Sequence, residues 1–151
     1  MAVTVRQAMT ANPVVVAPDT TVSECGKLMD RREIGALGVV RDERLVGVIT
    51  DRDIVVRAIA HDHDPHTMSA GELATPDVVT VPVDADLEEA ERLMGQSAVR
   101  RLFVVTDEGR PVGILSLDDL VALRDPDSAA AKQIREWRMV RSDQGFTGQV
   151  D

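Results

Sequence analysis

The sequence predicts an α+β fold in which one β-α-β-β-α unit is built twice and followed by a C-terminal helix. Three observations carry that prediction. The stretch Gly47-Val48-Ile49-Thr50-Asp51-Arg52-Asp53 returns as Gly113-Ile114-Leu115-Ser116-Leu117-Asp118-Asp119. Residues 5–60 align with residues 70–124 along their length, the signature of an internal duplication. Within each half, short β-branched runs alternate with stretches whose apolar residues recur at helical spacing.

The first strand of each half is a β-branched run stopped by a proline: residues 14–18, containing Val14 and Val16, and residues 78–82, containing Val79 and Val81. Thr21 with Glu24, and Asp86 with Glu89, pair an N-cap residue with an acid three places on, so a helix starts at each. The sets Val22, Cys25, Leu28, Met29 and Leu87, Ala90, Leu93, Met94 share one spacing and define one buried face per helix. Two strands follow in each half, 36–40 with 45–49 and 101–105 with 111–115, around polar turns short enough for hairpins. A last helix closes each half, with Ile54, Val55, Ala58, Ile59 and Leu117, Leu120, Val121 expected to face inward.

Residues 61–69 are polar, contain Pro65 and read as a linker. After residue 124, Asp125-Pro126-Asp127-Ser128 reads as a stop and a new cap. Good helix formers follow from 129 to 140, and a frayed tail is expected after them.

The totals exclude several classes of function. The chain has 151 residues and is 44% hydrophobic and 28% charged, which is ordinary for a soluble protein. No apolar run approaches the roughly 18 residues of a membrane span. The first residues are too short and polar for a signal peptide, and the single Cys25 cannot form an internal disulfide, so a cytoplasmic location is expected. A formal charge of −9 disfavours nucleic acid or an anionic membrane as partner, while leaving room for a small anion in a local pocket. Tyrosine is absent and aromatic residues are 2% of the chain. A bound purine would therefore rest on aliphatic side chains and backbone.

The repeated stretch is where chemistry concentrates. Thr50 and Ser116 sit where a strand gives way to a helix, whose first N–H groups and positive dipole end favour an anion such as phosphate. Asp53 and Asp119, three places on, can each accept two hydrogen bonds from a sugar diol. Together these point to a nucleotide. The same residues also fit a plain capping pattern that does no more than begin a helix.

The duplicated order, with Gly-h-h-Thr/Ser-x-x-Asp (h apolar) closing both copies, resembles the cystathionine-β-synthase (CBS) domain family over about residues 5–124. Two tandem copies resemble a Bateman module. The resemblance implies two halves packed about a pseudo-twofold axis, two clefts that take adenosine-containing ligands, and a homodimer. It implies that Asp53 and Asp119 take ribose hydroxyls and that Thr50 and Ser116, with the following amides, take phosphate. It further implies a base held around Val14 to Val16, Leu37, Val78 to Val81 and Leu102, with Val14, Val16, Val79 and Val81 the residues singled out, and Arg100 and Arg101 close to phosphate. The counterparts of those arginines are Gly35 and Ala36, and Asp118 adds a carboxylate beside Asp119, so the clefts are expected to differ.

Other features receive plainer readings. His61, His63 and His66, interleaved with Asp62 and Asp64, could supply zinc or nickel ligands, but their spacing matches no defined zinc site and a solvated linker is expected. Cys25 lies on an apolar helix face and reads as an inert core residue. No nucleophile elbow, P-loop, paired-histidine zinc motif or cysteine ligand set is present, so no enzyme activity is expected. Lys132, Arg135, Arg138 and Arg141 form a basic stripe, with Ile134 and Trp137 on another face of the same expected helix. The expected function is a stand-alone regulatory module that binds AMP, ADP, ATP or S-adenosylmethionine and signals through self-association or a protein partner. A ligand-free dimeric interaction module is the alternative, and a metal-responsive protein the third reading.

Overall fold

The computed structural model describes residues 3–129 together with Lys132, Gln133, Arg135 and Glu136. The chain begins with helix α1 (Val5–Ala8) and strands β1 (Thr10–Ala11) and β2 (Val15–Val16). Helix α2 (Val22–Arg32) and strands β3 (Ala36–Arg41) and β4 (Arg44–Thr50) follow, and then the short helix α3 (Asp51–Asp53). Helix α4 (Ala70–Leu73) and strand β5 (Thr80–Pro82) precede helix α5 (Leu87–Ser97), strands β6 (Arg101–Val105) and β7 (Pro111–Ser116), and helix α6 (Leu117–Arg124). Among the described residues no helix is long and apolar enough to cross a membrane.

These elements form two compact units, whose boundaries differ from those of the sequence repeats. One unit is Val14–Val78, and the other joins residues 3–13 to the described residues from Val79 onward. The first has a sheet ordered β2-β3-β4, and the second a sheet ordered β1-β7-β6-β5. β2 lies parallel to β3 and β5 parallel to β6, whereas the β3–β4 and β6–β7 hairpins and the β1–β7 pair are antiparallel. The opening segment of each repeat thus completes the body of the other repeat. Val5 is fully buried with Val81, Leu102 and Leu115, and Ala70 and Leu73 are buried with Val22, Leu37 and Ile49.

Both exchanged segments begin with a reciprocal cap. Thr4 with Gln7, and Ser69 with Glu72, form capping boxes at α1 and α4, which satisfy N–H groups that so short a helix would otherwise leave bare. A four-residue helix has no stability of its own, so burial of Val5 and Leu73 holds each one in place. Thr75 bridges Val48, as β1 pairs with β7 in the other unit.

This docking explains the glycine of the repeated motif. A Cβ on Gly47 would lie 3.0 Å from Ala74 Cβ and 3.3 Å from the Thr75 carbonyl oxygen. One on Gly113 would lie 2.3 Å from Met9 Sδ and 3.1 Å from the Thr10 oxygen. Only glycine allows the exchanged strand so close. Gly47→Ala, which meets a short side chain and backbone, is expected to lower stability by about 1–3 kcal/mol in urea unfolding. Gly113→Ala should cost about as much: the Met9 thioether can swing aside, but the Thr10 carbonyl oxygen at 3.1 Å is backbone and stays in place.

The helix faces follow the expected pattern for α2 and α5: Val22, Cys25 and Met29, and Leu87, Ala90 and Met94, are buried. The last helix of the first repeat departs from it. Beyond α3 the chain widens into a π turn (Ile54–Ala58) and then a 3-10 turn (Ile59–His61), with Ile59 N–H shared between the Ile54 and Val55 carbonyls. Three consecutive β-branched residues, Ile54-Val55-Val56, disfavour a regular helix. Ala58 is fully buried, while Val55 and Ile59 are each 56% exposed, which corrects their expected inward orientation. Leu117 is likewise exposed, and Leu120 carries the contact of α6 with its core.

Residues 61–69 are more than a tether. The Pro65 and Met68 carbonyls accept from Ser23 and Val22 N–H at 2.9 Å, capping the start of α2 with backbone. Beyond α6, Ala129, Lys132, Gln133, Arg135 and Glu136 are helical. Ile134, Trp137, Arg138 and Arg141 of the expected basic helix lie outside the described residues.

Candidate functional site: two strand-to-helix corners

β4 stays extended through Thr50, and the chain then turns into α3. Asp53 N–H donates to Thr50 Oγ1 at 3.1 Å, and Thr50 N–H donates to Asp53 Oδ2 at 2.9 Å. The corner at the end of β7 repeats this. Asp119 N–H donates to Ser116 Oγ at 3.2 Å, and Ser116 N–H donates to Asp119 Oδ2 at 2.9 Å. The capping reading is therefore realised at both corners. It also holds each half-buried carboxylate in one orientation, as a recognition group requires.

The next amide is also held alike, since Asp51 N–H donates to the Gly35 carbonyl at 3.0 Å and Leu117 N–H to the Arg100 carbonyl at 2.8 Å. The corners then diverge. Arg52 N–H donates to Asp51 Oδ1 at 2.8 Å, so an internal carboxylate already occupies that amide. The corresponding residue at the second corner is Leu117, whose side chain has no acceptor. Asp51 is a site residue that the sequence reading passed over, although it stands inside the quoted motif. Each corner has a second acid in its first turn, Asp51 or Asp118, so the extra carboxylate does not by itself distinguish them.

Cations do distinguish them. Arg101 lies opposite Ser116 in the β6–β7 register, whereas buried Ala36 lies opposite Thr50. Arg100 and Arg101 are both exposed, and Leu102 points into the core, so strand alternation turns Arg101 to the other face. The second corner thus combines a helix start with a neighbouring guanidinium, a favourable setting for an anion.

The apolar residues named for the base divide by burial. Val16, Leu37, Val81 and Leu102 belong to the cores of their own units, the last three at 0% exposure, so each shapes its sheet from within. Val14 and Val79 are half-buried. Val15, inside the stretch named for the base, is the outward residue of β2 at 40% exposure.

The histidines do not converge. His61, His63 and His66 are exposed, with the His61 and His63 rings 6.5 Å apart. Asp64 Oδ1 accepts from His66 N–H at 2.9 Å and lies 3.2 Å from His66 Nδ1, and the first of these bonds, with the second behind it, holds the Asp64 carboxyl below its ordinary range. Among the described residues no group of three or more His, Cys, Asp or Glu is placed to hold a metal ion.

Cys25 is fully buried, and desolvation, with the Glu24 charge as a smaller contribution, raises its thiol from 9.0 to about 11. A raised folded-state value stabilises the fold below the unfolded pKa, and that stabilisation is lost as pH rises toward the folded one. With no tyrosine in the chain, stability should fall between pH 9 and about 11. Urea unfolding should show a shallower slope for Cys25→Ala, and thiol reagents should react with wild type only on unfolding.

A model of the CBS domain matches twice, at residues 5–59 and 70–125. The chain belongs to the CBS domain family. Among its relatives, the CBS domain-containing protein YhcV of Bacillus subtilis is 34% identical over 130 residues, covering 86% of this chain and 91% of that protein. Hypoxic response protein 1 of Mycobacterium tuberculosis is 35% identical over 133 residues, covering 87% and 92%. A solved structure of Hypoxic Response Protein I, which holds two coordinated zinc ions, matches with a TM-score of 0.72 and 36% identity over 79% of this chain and 97% of that one. The structure of CBSX2 in complex with AMP matches with a TM-score of 0.68 and 32% identity over 87% and 98%. The duplicated α+β units described above are thus tandem CBS domains, a fold that in CBSX2 holds AMP.

Proposed function

We propose that this protein is a non-catalytic regulatory module that binds an adenine nucleotide through its strand-to-helix corners. One observation carries the proposal: at two sites 66 positions apart, the same reciprocal cap fixes a carboxylate beside a helix start, with Oδ2 held at 2.9 Å in both. Asp119 accepts the ribose hydroxyls, and the Ser116 corner with Arg101, supported by Arg100, receives the phosphate. Asp53 and Thr50 form the equivalent corner, where Asp51 competes with phosphate for the Arg52 amide. Val14 and Val79 offer apolar surface to the base. The AMP complex of CBSX2 supports this ligand class. Ligand affinity that differs between conformations is the means of signalling, through self-association as a homodimer or through a protein partner.

Thermal unfolding of the untagged protein against adenine and guanine nucleotides tests the reading. A midpoint shift selective for adenine supports it. No shift with any adenine nucleotide, confirmed by calorimetry, favours a ligand-free interaction module in which the motif does no more than cap and pack.

A further inference from the structure

The turn that follows the first corner presents an apolar strip to the outside. Arg52, Val55, Val56 and Ile59 are all exposed, and Val55 and Ile59 are the most open large hydrophobics among the described residues. Ile54 and Ala58 hold the turn to its core, so the strip is turned away from it. The residues 66 positions on, Asp118, Val121, Ala122 and Asp125, form the matching strip of α6 and its end. Their spacing of i, i+3, i+4 and i+7 puts them on one side of the helix, and none of them belongs to the core that Leu120 reaches. The two strips differ in chemistry. The first is bulky and carries a cation, while the second has the small Ala122 near its centre and an acid at either end. Neither the Arg52 guanidinium nor the Asp118 and Asp125 carboxylates have an ion-pair or hydrogen-bond partner among the described residues.

We infer that two copies of this chain pair crosswise through these strips, the first strip of one copy against the second strip of the other, and the reverse. A contiguous exposed apolar strip marks an interaction surface, and charge and size select its occupant. Arg52 meets an acid of the opposite strip, and Val56 and Ile59 pack over the small residue at its centre. Pairing like with like would set Arg52 against Arg52 and the acids of one α6 against those of the other, and like charges in contact oppose association. Every copy carries the complement of both strips, so the contact closes on a twofold axis without another protein. The pairing gives the self-association proposed above a face, and it stands whether or not a ligand binds. Each strip also starts beside a corner, with Arg52 next to Asp53 and Asp118 next to Asp119. A ligand at a corner therefore adjoins the contact and is placed to bias it.

Sedimentation velocity of the full-length untagged protein, without nucleotide and across a dilution series, reads this contact. Wild type should sediment as a dimer that dissociates on dilution. Val55→Asp and Ile59→Asp should each raise the dimer dissociation constant about thirtyfold or more. Arg52→Asp should raise it several-fold, and adding Asp118→Arg and Asp125→Arg to the same chain should restore it. Cys25 should stay protected from thiol reagents in every variant, as the control for folding. A wild type that is monomeric at every concentration would overturn the inference. So would a dimer that Val55→Asp and Ile59→Asp leave intact, since another face would then carry it. A dimer weakened by those two variants but indifferent to Arg52→Asp would overturn the crosswise pairing in favour of like on like.

Discussion

Leu73→Ala is expected to lower the unfolding free energy by about 2–5 kcal/mol, the range for truncating a fully buried leucine. Leu73 is only 1% exposed and sits among Val22, Leu37 and Ile49, yet it belongs to a four-residue helix outside the strand-helix-strand-strand-helix frame of its own repeat. If residues 70–78 were a connector draped over the surface, the substitution would cost a few tenths of a kcal/mol. The exchange makes them part of the Val14–Val78 core. Urea unfolding measures the difference, and a loss below about 0.5 kcal/mol, the scale of ordinary surface substitutions, would refute the exchange.

Asp119→Asn is expected to abolish most nucleotide-dependent stabilisation while leaving the ligand-free fold near wild type. The asparagine Oδ1 can still accept from Ser116 N–H, so the cap survives. It cannot offer two oxygens to a diol, and it loses the charge that strengthens such bonds. At a hundredfold excess over the dissociation constant, a ligand that binds only the folded state adds about 2.7 kcal/mol, and this is the gain at stake. Asp53→Asn should have the smaller effect, because its corner has Asp51 on the Arg52 amide and lacks a counterpart of Arg101. Equal losses in both variants would contradict that asymmetry.

The sequence revealed what repeats and what is periodic. The caps at Thr21, Thr50, Asp86 and Ser116 and the buried faces of α2 and α5 were legible because hydrogen-bond chemistry and helical spacing are local. The exchange of the opening segments was not legible, since it is a choice between two chemically similar bodies. The sequence reading also missed the two short helices, for which Thr4 with Gln7 and Ser69 with Glu72 were the available capping signals. The inward orientation expected of Val55 and Ile59 failed because a π turn changes the angular spacing on which such a reading depends. At the candidate site, Thr50, Asp53, Ser116 and Asp119 fell where the motif put them. Val16, Leu37, Val81 and Leu102 did not reach the surface, because strand alternation buries them and turns Val15 outward.

The most direct test of the central claim is isothermal titration of the untagged protein with AMP, repeated with Asp119→Asn. The account predicts saturable heat with wild type at one AMP per chain, and its loss in the variant. No heat with wild type, or unchanged binding by a folded Asp119→Asn protein, would contradict it.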